Sequence, residues 1–223
     1  MTLTEYPDRE AMMIAVANQI ATELETALHH QDRATLVVPG GTTPGPIFDD
    51  LNAVHLDWDR VDVMLSDERW VPEDSERSNT RLLRERLLVN QAAAARYLPL
   101  YACADRPEDV LAELESNIVG SLPISILVLG MGADMHTASI FPGADMLAQA
   151  LDPHAPVLMP MRAPGAPEPR ITLTARVLDA AINKHIVISG AEKREALETA
   201  RHLPAQEAPI RAVLGGATIH WAE

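Results

Sequence analysis

Five short apolar runs recur along the chain: "ATLVVP" (34–39), "VDVMLS" (61–66), "SILVLG" (125–130), "KHIVISG" (184–190) and "IRAVLGG" (210–216). A strand with one wet face would alternate polar and apolar residues, so continuous runs of this length read as strands buried on both faces. Helical stretches fall between and beside them, at 8–30, 80–89, 107–119 and 191–201. In the first, Ala11, Ile14, Ala15, Ile20, Leu24 and Leu28 are expected to form the buried face. This alternation predicts a single α/β domain over 1–223, with a mostly parallel sheet flanked by helices on both faces. A chain of 223 residues buries enough surface to need neither disulfide nor metal for stability. The 151–170 segment holds six prolines and is expected to be a long ordered loop, either a lid or a plain connection.

Open parallel sheets bind ligands beyond the carboxyl ends of their strands, so the residues just after each run carry the functional information. After the first run come Gly40, Gly41, Thr42 and Thr43, then a helical segment. Glycines let an anion approach the backbone, hydroxyls and amides can donate to it, and a helix dipole favours its charge. The same residues also suit a capped strand-to-helix turn. The P-loop pattern GxxxxGK[ST] is absent. After the second run, Asp67 and Arg69 lie two apart around Glu68, on one side of an extended chain. They can pair, grip a hydroxylated anion together, or form a solvated loop.

The third run stops at Gly130-Met131-Gly132, followed by Asp134 and His136. A dinucleotide fingerprint would need a third glycine where Met135 stands, so a nicotinamide cofactor is not expected. His136 beside Asp134 can instead be an imidazole oriented by a carboxylate and poised to take a proton from water, or a buried structural histidine. Ser139 lacks the G-x-S-x-G elbow of a serine nucleophile and is expected in a helix after the turn. Arg170 ends the proline-rich segment, and Lys193, one of only two lysines beside Lys184, follows the fourth run.

The net charge of -14 argues against nucleic acid or an anionic membrane as partner. A small phosphorylated ligand remains compatible, provided a few cations gather at one place. The single cysteine, Cys103, excludes an internal disulfide framework. The histidines show no metal-ligand spacing, and no metal is expected. Without a signal-like start or a membrane-length apolar run, a cytoplasmic location is expected.

In order along nearly the whole chain, "PGGTTP", "SDERWVP" with "SN" following, "GMGADMHTASIFPG", "PRITLT" and "SGAEK" resemble the glucosamine-6-phosphate isomerase/6-phosphogluconolactonase superfamily, and its lactonase branch in particular. The resemblance implies a Rossmann-like fold similar to sugar-phosphate isomerases, and hydrolysis of 6-phosphoglucono-δ-lactone in the oxidative pentose phosphate pathway without a cofactor. It implies His136 as base and Asp134 as its carboxylate neighbour. Gly40, Gly41, Thr42 and Thr43 become the anion loop, and Arg69, Arg170 and Lys193 the substrate-holding cations, with Asp67 and Asn79 nearby. Two positions depart from the pattern. Pro39 stands where many relatives have serine, and Met135 where many have glycine; a right-handed turn is expected at Met135. The amino-sugar branch, which isomerises and deaminates glucosamine 6-phosphate, is the alternative, as is a non-catalytic sugar-phosphate-binding module. The amino-sugar branch supplies a glutamate where this chain reads Phe141-Pro142. Monomer and dimer are both compatible with the sequence.

Overall fold

The computed structural model describes all residues 1–223. Ten strands form two sheets: β1 (Thr2–Glu5), β2 (Ala34–Val38), β3 (Val61–Leu65), β4 (Asp67–Arg69), β5 (Arg96–Tyr97), β6 (Ile126–Leu129), β7 (Leu158–Met161), β8 (Arg170–Leu173), β9 (Asn183–Ser189) and β10 (Thr218–Ala222). The larger sheet has seven strands in the order β1-β10-β9-β6-β2-β3-β5, all parallel. From its middle, β2-β3-β5 proceeds to one edge and β6-β9-β10 to the other, so strand order reverses between β2 and β6. Every residue of β2, β3 and β6 is buried, which requires cover on both faces.

Seven helices connect the strands: α1 (Arg9–His30), α2 (Gly45–Leu51), α3 (Asn79–Arg86), α4 (Leu111–Ile118), α5 (Leu147–Ala150), α6 (Ala175–Asp179) and α7 (Ala191–Ala200). Asp8 caps α1, its Oδ1 accepting from the Ala11 amide at 2.8 Å. The buried stripe of α1 runs through Met12, Val16, Ile20 and Leu24, with Met13, Ala17, Ala21 and Leu28 beside it. Ile14, expected on that face, is 46% exposed; the stripe is rotated because the methionines, not Ile14, face the sheet.

Two expectations need correction, and one strand was not foreseen. The run 210–216 is not a strand: Pro209–Val213 is a 3₁₀ turn, and the last strand is β10, whose mixed residues hid it. A short apolar run cannot by itself distinguish a strand from a buried helical turn. The 151–170 segment is not all loop, since β7 lies within it and pairs antiparallel with β8. Pro160 is tolerated there because β7 is an edge strand. The β1 strand, pairing with β10 at the sheet edge, carries no apolar run and gave no signal.

Two buried polar clusters pin the large sheet. Asp62 on β3 is bonded by Arg96, Arg33 and Ser121. Burial alone would raise its pKa, but these bonds outweigh it and hold the carboxyl below its ordinary value. Under α1, Tyr6 Oη, His220, His185 and Glu23 form a chain of contacts at 2.8, 3.0 and 2.7 Å. With both imidazoles neutral, each nitrogen in this chain finds a partner: Tyr6 donates to His220, His220 to His185, and His185 to the Glu23 carboxylate.

Burial, with His185 adding to it, pushes the His220 pKa down from 6.5 to about 4. Between those values the unfolded chain binds more protons than the folded one, so stability falls as pH drops through that window. The contribution at neutral pH is on the order of 3 kcal/mol. Denaturant titrations from pH 6.5 down to about 4 should show the wild type losing roughly that much more stability than His220→Gln. Parallel curves for the two proteins would show that His220 is not held neutral by the fold.

Candidate active site

A cavity of about 310 Å³ opens beyond the carboxyl ends of β2 and β6, where the strand order reverses. Its walls include Gly40, Gly41, Thr42 and Thr43 from the β2–α2 connection and His136 from the segment after β6. Asp67, Arg69 and Asn79 also line it, as do Arg170 and Lys193. The structure thus brings together ten of the residues singled out in the sequence, from five separate segments. Asp134 is adjacent through its bond to His136. Lys184, the other lysine, lies elsewhere and pairs with Asp179 at 2.5 Å.

The β6 strand ends at Leu129, and the chain then folds into a tight turn closed by Gly132 N to His136 O at 3.0 Å and Met135 N to Gly132 O at 2.9 Å. Met135 has φ +65°, so the right-handed conformation expected there is not the one adopted. A left-handed methionine costs on the order of 1 kcal/mol. The conformation is held because the Met135 carbonyl accepts from the Ile210 amide at 3.0 Å. No helix follows: Ala138 is also left-handed, at φ +48°, and Thr137 and Ile140 form a β-bridge. Ser139 is therefore not a helical residue. It is fully buried, and its Oγ donates to Asp67 Oδ2 at 2.6 Å, a contact across 72 residues that nothing local announces.

The turn presents the imidazole in a defined way. His136 Nδ1 lies 2.5 Å from Asp134 Oδ1, and the same oxygen accepts the His136 amide at 3.2 Å. With the Nδ1 proton donated to the carboxylate, Nε2 carries the lone pair, and it has no partner within the chain. Gly132 is the seat of this pair: a Cβ there would stand 2.3 Å from His136 Nδ1 and 2.5 Å from Asp134 Oδ1. On the other side the Phe141 ring packs against the imidazole, with centroids 4.4 Å apart. The Arg170 guanidinium lies 5.7 Å from the centre of the same Phe141 ring.

The two arginines owe their placement to the small sheet, β4-β8-β7, and Lys193 lies on α7 after β9. After Ser66 bonds to Val38 O, the chain leaves the large sheet and begins β4, which pairs antiparallel with β8. That register sets Arg69 directly opposite Arg170 and Asp67 opposite Thr172, so these side chains share a face. Like charges directly opposite are unfavourable. Neither arginine has a carboxylate partner, and the buried Nε of each has no acceptor. The Arg69 guanidinium bonds only the Arg77 carbonyl, at 3.0 Å. Burial lowers the Arg170 pKa; Asp67 opposes that, and the neighbouring Arg69 charge adds to it. Most other arginines here, and Lys184, are in ion pairs, whereas Lys193 is not. Asp67 accepts from Ser66 Oγ at 2.8 Å as well as from Ser139. No group of three His, Cys, Asp or Glu side chains is disposed to hold a metal ion.

Comparison with known proteins gives a consistent answer. The family model described as glucosamine-6-phosphate isomerases/6-phosphogluconolactonase matches residues 7–221. The 6-phosphogluconolactonase of Mesorhizobium japonicum is 45% identical, over 97% of this chain and 93% of its own. That of Rhizobium meliloti is 41% identical, over 97% of each. A crystal structure of a 6-phosphogluconolactonase from Shewanella baltica superposes with a TM-score of 0.96 at 31% identity, covering 100% of this chain and 98% of that one. A monomeric glucosamine-6-phosphate deaminase shares the fold, with a TM-score of 0.84 at 16% identity, covering 100% of this chain and 98% of that one. Together with the strand order, these matches establish that the chain belongs to the glucosamine-6-phosphate isomerase/6-phosphogluconolactonase family.

Proposed function

We propose that this chain is a 6-phosphogluconolactonase, a single catalytic α/β unit spanning 1–223 that hydrolyses 6-phospho-D-glucono-1,5-lactone to 6-phospho-D-gluconate in the cytoplasm. The observation that carries the reading is one cavity holding both an imidazole with Nδ1 bonded and Nε2 unbonded, and three cations without carboxylate partners. A phosphorylated, electrophilic, uncharged ring answers both features. The lactonases at 41–45% identity support the choice of substrate.

In this mechanism the substrate phosphate docks on the 40–43 loop with Lys193, which fixes the sugar ring. Arg69 joins Lys193 in holding the anionic end, while Arg170, near Phe141 and through it near His136, serves the reacting end. His136 Nε2 takes a proton from a water as that water attacks the lactone carbonyl carbon. The carbonyl becomes a tetrahedral oxyanion, stabilised by donors already fixed in the site. On collapse the bond from carbon to ring oxygen breaks, and the imidazolium returns its proton to that oxygen. Asp134 keeps the imidazole in the required tautomer and stabilises its transient charge. No covalent intermediate is needed. Positioning and one general base, together worth at least 10²–10⁴-fold, are enough for an ester this labile.

The amino-sugar reaction would call for a further acid beside the imidazole. The Phe141 ring occupies the space against His136, and Asp67 is the one carboxylate among the cavity walls. That favours hydrolysis over proton transfer between sugar carbons.

Hydrolysis of freshly generated lactone should exceed the uncatalysed rate, and His136→Ala should lower kcat about 10²–10⁴-fold with KM little changed. Equal losses in both constants would assign His136 to binding. Lys193→Ala should mainly raise KM, and an unchanged KM would remove Lys193 from the phosphate site. Gly132→Ala must displace the Asp134–His136 pair, so kcat should fall about 10²-fold while the melting temperature moves little. Retained activity in that variant would mean the pair does not need its seat.

A further inference from the structure

Glu68 lies between two cavity residues yet does not line the cavity itself. Strand alternation turns it to the opposite face of β4 from Asp67 and Arg69, where it is completely buried. No cation pairs with it. Its carboxylate instead accepts five hydrogen bonds. Oε1 receives the amides of Arg69 at 2.7 Å and Asn79 at 2.8 Å. Oε2 receives the Thr80 amide at 2.8 Å, Thr80 Oγ1 at 2.7 Å and Ser78 Oγ at 3.1 Å. Burial raises the Glu68 pKa and these donors oppose the rise. Three of them are backbone N–H groups, which cannot reverse, so only an acceptor at both oxygens fits the site.

What these bonds fix is on the cavity side. Asn79 and Thr80 open α3, and their amides have no partner inside that helix. Ser78 caps α3 by accepting from the Arg81 amide, and Glu68, from another element, accepts from the Asn79 and Thr80 amides. A carboxylate at that end is also favoured by the helix dipole. Held this way, the Asn79 side chain donates to Asp67 O at 3.0 Å and fills the space beside the anion loop. A Cβ on Gly40 would stand 2.0 Å from Asn79 Oδ1. At its other end the carboxylate holds the Arg69 amide, next to the guanidinium that lines the cavity.

We infer that Glu68 is a positioning residue for anion recognition: it ties Arg69, Asn79 and, through Asn79, the 40–43 loop into one fixed arrangement before substrate binds. The inference rests on the phosphate-site reading above. It deepens that reading by naming a residue that never touches the ligand. The Asp134–His136 pair hangs on a separate turn and shares no hydrogen bond with Glu68. Loss of Glu68 function should therefore weaken binding and spare the chemical step.

The test compares wild type, Glu68→Gln, Thr80→Val and Leu24→Ala, the last a core variant in α1 that lowers stability away from the cavity. Lactone kinetics are measured beside direct calorimetric binding of inorganic phosphate. An amide at position 68 must turn its NH₂ toward at least one backbone N–H. Glu68→Gln is expected to raise KM and the phosphate Kd about tenfold each, with kcat within about twofold. Thr80→Val, which removes one hydroxyl donor and keeps the backbone, should give a smaller rise in the same two constants. Leu24→Ala should leave both unchanged. Phosphate affinity in Glu68→Gln equal to wild type, or a loss matched by Leu24→Ala, overturns the inference. If Glu68→Gln does not fold, unchanged constants in Thr80→Val overturn it equally. A wild type that binds phosphate but does not hydrolyse the lactone would remove the substrate reading, and the phosphate comparison would still decide Glu68.

Discussion

All seven strands of the large sheet point the same way, so each delivers the residues that follow it to one rim. Buried on both faces, β2, β3 and β6 leave little room for charge along their length: Asp62 on β3 is the one charged residue among them, and Arg33 and Arg96 neutralise it. The reversal of order between β2 and β6 then sends neighbouring connections apart and leaves a crevice between them. Gly40 to Thr43 follow β2 and the Asp134–His136 turn follows β6, which puts the proposed anion loop and the proposed base on the walls of that crevice. The site's location is in this sense a consequence of packing apolar strands, with the chemistry added at their ends.

The second sheet solves an electrostatic problem that the first cannot. In a chain of net charge -14, a cation is readily neutralised by a neighbouring carboxylate, and most here are. The phosphorylated substrate proposed above would need cations that no carboxylate has taken. The β4–β8 register achieves this by seating Arg69 against Arg170, with Asp67 already engaged by two serine hydroxyls. Two like charges on one face of a ladder repel each other, and under the proposed function an anion bound between them would relieve that repulsion.

Much of this was legible in the sequence because the informative residues sit just after apolar runs, and the runs announce the strands. The clusters at 40–43, 67–69 and 134–136 and the cation at 193 could be found that way, whereas Arg170 opens β8 at the end of the proline-rich segment. What escaped reading depends on partners distant in the chain. The edge strand β1 and its neighbour β10 mix polar and apolar residues; in β10, His220 spends its polarity on Tyr6 and His185. Pro160 disguised β7, an edge strand that tolerates it. Ser139 and Glu68 become important only once the 67–69 segment is folded against them or their partners, and no local spacing encodes those contacts.

Met135 shows how a local preference is overruled. Methionine and alanine both avoid left-handed backbone, yet Met135 and Ala138 adopt it on either side of the imidazole. Each reverses the chain, and together they bring the His136 ring back over Gly132 to meet Asp134, where a helix would have carried it onward. Such strain persists only where surroundings over-determine it. Here Met131 and Ile140 are buried in the core at each end of the turn, Thr137 Oγ1 ties back to Gly130 O, and Ile210 N holds the Met135 carbonyl. The last of these comes from the 3₁₀ turn once read as a strand. Had 210–216 been a strand, its amides would have been committed to the sheet, and the carbonyl that fixes the base would have lacked its donor. The C-terminal segment thus helps to shape the turn that carries His136 through one backbone hydrogen bond.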